Sequence, residues 1–128
     1  MGDWQPYTDG LVGTGAMLAA TICGTADGSY WAYTGDHVPQ PEEVQHIIAC
    51  LKDPSKARMG GIKIAGNKYF VMRAEEGLLM GKLGNGGCVV CASVQAFTCG
   101  VFGGDDQPMH GALREVENMV AGFKELDY

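Results

Sequence analysis

Positive charge is scarce in this sequence of 128 residues: nine Lys and Arg stand against fifteen Asp and Glu, a formal net charge of −6. A nucleic-acid binder carries a basic footprint, and an anionic membrane surface is met by clustered Lys and Arg. Neither pattern is present. Long apolar runs are lacking too, and the longest fall far short of the roughly 18 residues that a spanning helix needs. The opening Met1-Gly2-Asp3-Trp4-Gln5-Pro6 shows neither the basic nor the apolar region of a secretory signal, and Pro6 stands where a myristoylation motif takes Ser or Thr. Five cysteines, an odd number, then point to a reduced cytosolic protein rather than a disulfide framework. Charged residues are only 19 % and apolar ones 46 %, a globular balance rather than a disordered one. The length predicts one domain over 1–128.

What is abundant is glycine, 20 residues in 128, where usual usage is about 7 %. The glycines punctuate short apolar runs and predict many tight turns. Trp4, Tyr7, Leu11 and Val12 follow helical spacing, with Asp3 as N-cap and Pro6 in the first turn. Residues 16–24 predict a buried strand, and Asp27-Gly28 a hairpin turn. Residues 29–33 predict an aromatic strand with Tyr30 and Ala32 on one face and Trp31 and Tyr33 on the other. A second helix starts at Pro41, carries the stripe Val44, Ile47, Ile48 and Leu51, and stops at Asp53-Pro54. Strands are expected at 62–64, 68–74, 78–82, 88–93 and 96–102, and a last helix over 109–125 with Leu113, Val116, Val120 and Phe123 in its stripe. The fold class is α+β, helices packed on a single antiparallel sheet.

The motifs that suggest chemistry are weak. Cys88 and Cys91 form a C-x-x-C, but on a strand they point to opposite faces and cannot share a metal. Gly13-Thr14-Gly15 and Gly84-Asn85-Gly86-Gly87 lack the Lys and the strand-to-helix setting of a phosphate loop. His37, His46 and His110 sit beside no nucleophile signature. No cofactor, metal or catalytic residue is expected. The aromatic residues say more. Trp4 and Tyr7 lie one turn apart, Trp31 is on a strand, and Phe123 and Tyr128 lie near the C-terminus. If both terminal helices lie on one sheet face, these rings converge into a groove suited to a polyproline II peptide; the alternative is that they pack in the core.

The chain resembles the profilin family over nearly its whole length. Trp4-Gln5-Pro6-Tyr7 is similar to the family's WxxY helix, and Asp27-Gly28-Ser29-Tyr30-Trp31-Ala32 to its second-strand segment. Lys68-Tyr69-Phe70-Val71-Met72-Arg73, Glu76-Gly77 and residues 81–87 resemble the KYMVI…GEPG…RGKKGxGG stretch of plant and protist profilins. His110-Gly111-Ala112-Leu113 resembles the HGGL that starts the last helix of animal profilins. The resemblance implies the two terminal helices together on one face of the sheet and a further helix on the other. It implies a non-enzymatic, monomeric, cytoplasmic protein of the actin cytoskeleton with two surfaces. Trp4, Tyr7, Trp31, Phe123 and Tyr128 match the groove for proline-rich partners such as formins. Lys68, Arg73, Lys82, His110, Gly111 and Ala112 match the surface for monomeric actin. Val116 falls where animal profilins often carry lysine, a role that Arg114 could take over. Phosphoinositide binding, a third family trait, is expected to be weak with so few cations. The rival readings are a small ligand-sensing or GTPase-adaptor module of similar topology, and a Cys/His hydrolase, which needs the two groups within hydrogen-bond reach in a cleft.

Overall fold

A computed structural model describes residues 4–103 and 109–126. The elements run α1 (Gln5–Gly13), β1 (Ala19–Gly24), β2 (Tyr30–Thr34), α2 (Pro41–Lys52), α3 (Pro54–Gly60), β3 (Ile62–Ile64), β4 (Asn67–Glu75), β5 (Leu78–Leu83), β6 (Gly86–Ala92), β7 (Ala96–Phe102) and α4 (Met109–Glu125). The strands form one antiparallel sheet in the order β2-β1-β7-β6-β5-β4-β3. From β3 to β7 each strand pairs with the next, as expected where glycine turns join short apolar runs.

Each face of the sheet holds a core. On one, Val44, Ile47, Ile48 and Leu51 of α2 pack with Ala57 of α3 against Cys23, Cys88, Val90, Phe97 and Cys99. On the other, Leu11 of α1 and Ala112, Val116 and Val120 of α4 pack against Ala20, Met80, Val89, Cys91 and Phe102. The terminal helices therefore share one face and α2 with α3 holds the other. Cys88 and Cys91 fall in different cores, the opposite-face placement that strand periodicity dictates. Gly100 lets α4 come close: a Cβ there would lie 2.9 Å from Met17 Sδ and 3.2 Å from Val116 Cγ2.

Several local expectations are corrected. Asp53-Pro54 ends α2 but also starts α3, because the Asp53 carboxylate accepts from Ser55 N at 3.2 Å and Pro54 stands at the first helical position. Residues 16–18 precede β1 rather than extend it. Trp4 is the N-cap residue of α1, without a side-chain cap, and Asp3 lies outside the described residues. In α4 the innermost position of the stripe belongs to Ala112, and Leu113 is only half-buried. The expected faces of β2 are also overturned. Ile22 faces Ala32 and Cys23 faces Tyr30, so Trp31 is an extra residue in the ladder. Such a bulge reverses the alternation of everything beyond it. Trp31 therefore joins Ala32 on the side of the terminal helices, whereas Tyr30 and Tyr33 meet on the other side with ring centroids 6.2 Å apart.

Candidate functional site

The bulge in β2 matters because it assembles the aromatic group. Trp4 enters from the start of α1, Tyr7 from one turn later and Trp31 from β2. The Trp4 ring lies 5.0 Å from Trp31 and 5.6 Å from Tyr7, both tilted. Phe123 of α4 stands edge-on beneath them, 5.2 Å from Trp4 and 5.2 Å from Tyr7. The exposures separate two roles. Tyr7 is 43 % exposed, and Trp4 and Trp31 are half-buried, whereas Phe123 is 2 % exposed. Phe123 thus supports the upper rings and offers no face of its own, which corrects its placement as a contact in the groove. Tyr128 lies outside the described residues. The three upper rings form a shallow shelf of flat apolar surface. Flat rings pack on proline rings, and ring N–H and O–H groups can bond the free carbonyls of an extended peptide.

A second group lies on β4 and β5, on the terminal-helix face of the sheet. Phe70 is paired with Lys82 and Arg73 with Met80. Met80 packs in the core under α1 and α4, which identifies the face. The register slips again at Met72, an extra residue between Val71 and Arg73. Helix α4 packs over β6 and β7 and leaves this half of the face open. Phe70 is 72 % exposed and Met72 60 %. Lys68, Arg73 and Lys82 are exposed among them. Arg73 pairs with Glu75, whose carboxylate holds the guanidinium above its ordinary pKa. Lys68 and Lys82 make no ion pair among the described residues. His110 and Arg114 are exposed on α4 and Gly111 is half-buried, but Ala112 is fully buried and presents nothing to a partner. Val116 is fully buried as well, so it is a core residue and not a vacant salt-bridge position. Phe70, Met72 and the neighbouring 87 %-exposed Met59 were missing from the sequence-derived site. Their signal is three large apolar residues standing where strand alternation or a short helix leaves them outside.

One cysteine and one histidine do come within reach. Cys50 Sγ lies 3.4 Å from His46 Nε2, but that nitrogen is also 3.0 Å from the carbonyl oxygen of Gly61. A carbonyl can only accept, so Nε2 carries its proton toward Gly61 and is not free to take one from the thiol. Cys50 is fully buried, and burial pushes its thiol pKa up. The pair is a structural contact between α2 and the segment entering β3. It is not an activated nucleophile.

A family model described as Profilin matches residues 2–128. A profilin of Trypanosoma brucei brucei is 43 % identical, with 97 % of this chain and 87 % of that protein aligned. Profilin-3 of Dictyostelium discoideum is 37 % identical over 82 % of this chain and 83 % of its own. The chain belongs to the profilin family. The crystal structure of Acanthamoeba castellanii profilin II superposes with a TM-score of 0.91, at 29 % identity over 98 % of this chain and 99 % of the other. Mouse profilin IIa, solved with a double repeat from the FH1 domain of mDia1, shares the fold with a TM-score of 0.79 at 21 % identity, covering 99 % of this chain and 100 % of its own. Profilins are non-enzymatic, actin-binding regulators, and this one pairs the family fold with an acidic chain whose exposed cations are few.

Proposed function

We propose that this profilin binds monomeric actin through the open half of its sheet around Lys68, Phe70, Met72 and Lys82, with His110, Gly111 and Arg114 at the start of α4 contributing. We further propose that it binds proline-rich segments, such as those of formins, on the shelf of Trp4, Tyr7 and Trp31. The observation that carries the second reading is the convergence of three partly exposed rings from two elements on a buried Phe123. A mouse relative of the same fold is known in complex with an FH1 repeat, which supports the class of partner. For actin, the family supplies the partner, and the uncovered strip of exposed apolar and cationic side chains supplies a surface.

The two surfaces sit on one domain but far apart along it. Strands β2 and β4 are separated by four others in the sheet, a path of about 24 Å at strand spacing. A monomeric protein built this way delivers actin: one surface holds it while the other is retained by a proline-rich assembly factor, which raises the local concentration of subunits in the cytoplasm without new chemistry. Phosphoinositide binding is weak at physiological salt because the exposed cations are scattered and the chain is acidic. The test is a pair of single substitutions read against both ligands. Trp4→Ala abolishes binding of a proline decamer and leaves actin affinity intact. Lys82→Glu does the reverse, and its loss shrinks as salt rises. Equal loss of both ligands in either variant refutes the two-surface reading.

A further inference from the structure

The shelf depends on two elements that α1 and β2 bring together, and the seam between them is polar. Only Thr8 and Leu11 of α1 are buried, and the helix begins without a side-chain cap. Across the seam, Gln5 Nε2 donates to Tyr33 O at 2.7 Å and lies 3.0 Å from both Asp9 Oδ1 and Thr34 Oγ1. Thr34 Oγ1 donates to Asp9 Oδ1 and stands 2.9 Å from the buried hydroxyl of Thr8. The Thr34 hydroxyl has one proton, and the carboxylate is its strongest acceptor. Gln5 and Asp9 are four residues apart and so share a helix face. Gln5 adjoins Trp4, and Thr34 is three residues beyond Trp31 on the same strand.

We propose that Gln5, Asp9 and Thr34 form a latch that sets the spacing of Trp4 and Tyr7 against Trp31, making Asp9 and Thr34 positioning residues for the proline-rich ligand. The inference rests on the shelf reading above and deepens it. The hydrogen bonds of Asp9 and Thr34 run to Gln5, to Thr8 and to each other, so their effect on the ligand runs through the placement of α1 against β2. An apolar seam would let a nine-residue helix slide or roll by a fraction of a turn, whereas directional hydrogen bonds fix one register. The Thr34 hydroxyl and then the Gln5 carboxamide also hold the Asp9 carboxyl below its ordinary pKa, so the latch is closed and charged near neutral pH. The latch lies on the edge of the sheet remote from Lys82, so a defect in it should leave the actin surface alone.

The test uses the whole chain, a proline decamer and monomeric actin. Thr34→Val and Asp9→Ala each weaken decamer binding about three- to tenfold, the worth of one net hydrogen bond. The double variant is no weaker than the weaker single one, because either change opens the same latch. Thr34→Ser, which keeps the hydroxyl, restores affinity to within about twofold of wild type, and actin affinity stays unchanged throughout. The near-ultraviolet circular dichroism of the Trp4–Trp31 pair shifts in Thr34→Val and returns in Thr34→Ser. Asp9 is exposed and alanine suits a helix surface, so Asp9→Ala folds and carries the test even if Thr34→Val does not. Decamer affinity unchanged in Asp9→Ala, or fully additive losses, overturns the latch while the shelf stands. A wild-type chain that ignores the decamer overturns both.

Discussion

Phe123→Leu separates a ring that supports the shelf from a ring that belongs to it. Phe123 is 2 % exposed and meets Trp4 and Tyr7 edge-on at interplanar angles of 85° and 74°. Each such pair is worth about 0.5–1.5 kcal/mol beyond area burial, so removing both costs about 1–3 kcal/mol. Leucine keeps most of the apolar contact with Ile22 and Ala96, so the full penalty of truncation to alanine, about 3–5 kcal/mol, does not apply. For a chain of this length that loss lowers the melting temperature by roughly 4–12 °C. The upper rings lose their edge-on support, and affinity for a proline decamer falls about three- to tenfold although no exposed ligand-facing ring has been removed. Thermal melts followed by circular dichroism give the first number, and tryptophan fluorescence titrations give the second. A variant that loses less than about 0.5 kcal/mol refutes the ring-pair argument. One that loses stability as expected and binds the decamer normally refutes the supporting role.

Three further outcomes follow from other parts of the fold. Glu43 accepts from Gln40 N at 2.7 Å, Ala65 N at 2.7 Å and Gly66 N at 2.9 Å, joining the start of α2 to the β3–β4 turn where Ala65 is held at φ 54°. Glu43→Gln replaces one acceptor oxygen by a donor, so urea unfolding should show a loss of about 1–2 kcal/mol and hydrogen exchange should quicken at Gly66. Burial pushes the thiols of Cys23, Cys88 and Cys91 from 9.0 up to about 12. The unfolded chain therefore loses these protons first, and stability, level below pH 9, falls as pH rises from there toward 12; at pH 8 a thiol reagent should react only at the rate of chain opening. An unfolding free energy that falls no more steeply between pH 9 and 11 in wild type than in a variant with all three replaced by alanine refutes that sign. Phe70→Asp should weaken actin binding at least tenfold and leave the melting temperature within about 2 °C, because a side chain 72 % exposed has little folding energy to lose. A large drop in melting temperature would place Phe70 in the core instead.

The elements that were legible in the sequence are those whose burial is one-sided and long. Helix α2 announces itself through Pro41, two early glutamates and a stripe with Val44, Ile47, Ile48 and Leu51 all buried. The strands from β3 to β7 are legible because glycine and asparagine cut apolar runs at each turn. Helix α3 was hidden, since only Ala57 of its seven residues is buried and a stripe of one leaves no period to read. The two bulges were hidden for a different reason. Nothing in Ser29-Tyr30-Trp31-Ala32 or in Val71-Met72-Arg73 marks an extra residue, because a bulge is fixed by how the partner strand registers and not by local composition. Residue type was therefore enough to pick out Trp4, Tyr7, Trp31 and Phe123 as rings that converge, while the neighbours of Trp31 on its strand face were read wrongly: it shares a side with Ala32 and not with Tyr33. Depth was equally out of reach: Phe123 and Ala112 carry the same pattern signal as surface contacts, and only packing shows both to be interior.

The separation of actin and the proline-rich ligand onto two surfaces of one small protein underlies the proposed function. It is tested most directly by titrating a proline decamer into the protein twice, once alone and once saturated with monomeric actin, with tryptophan fluorescence or calorimetry as the readout. Separate surfaces predict the same decamer affinity in both titrations to within about twofold and a ternary complex of one actin per chain. Competition, with decamer affinity falling in proportion to actin occupancy, contradicts that separation.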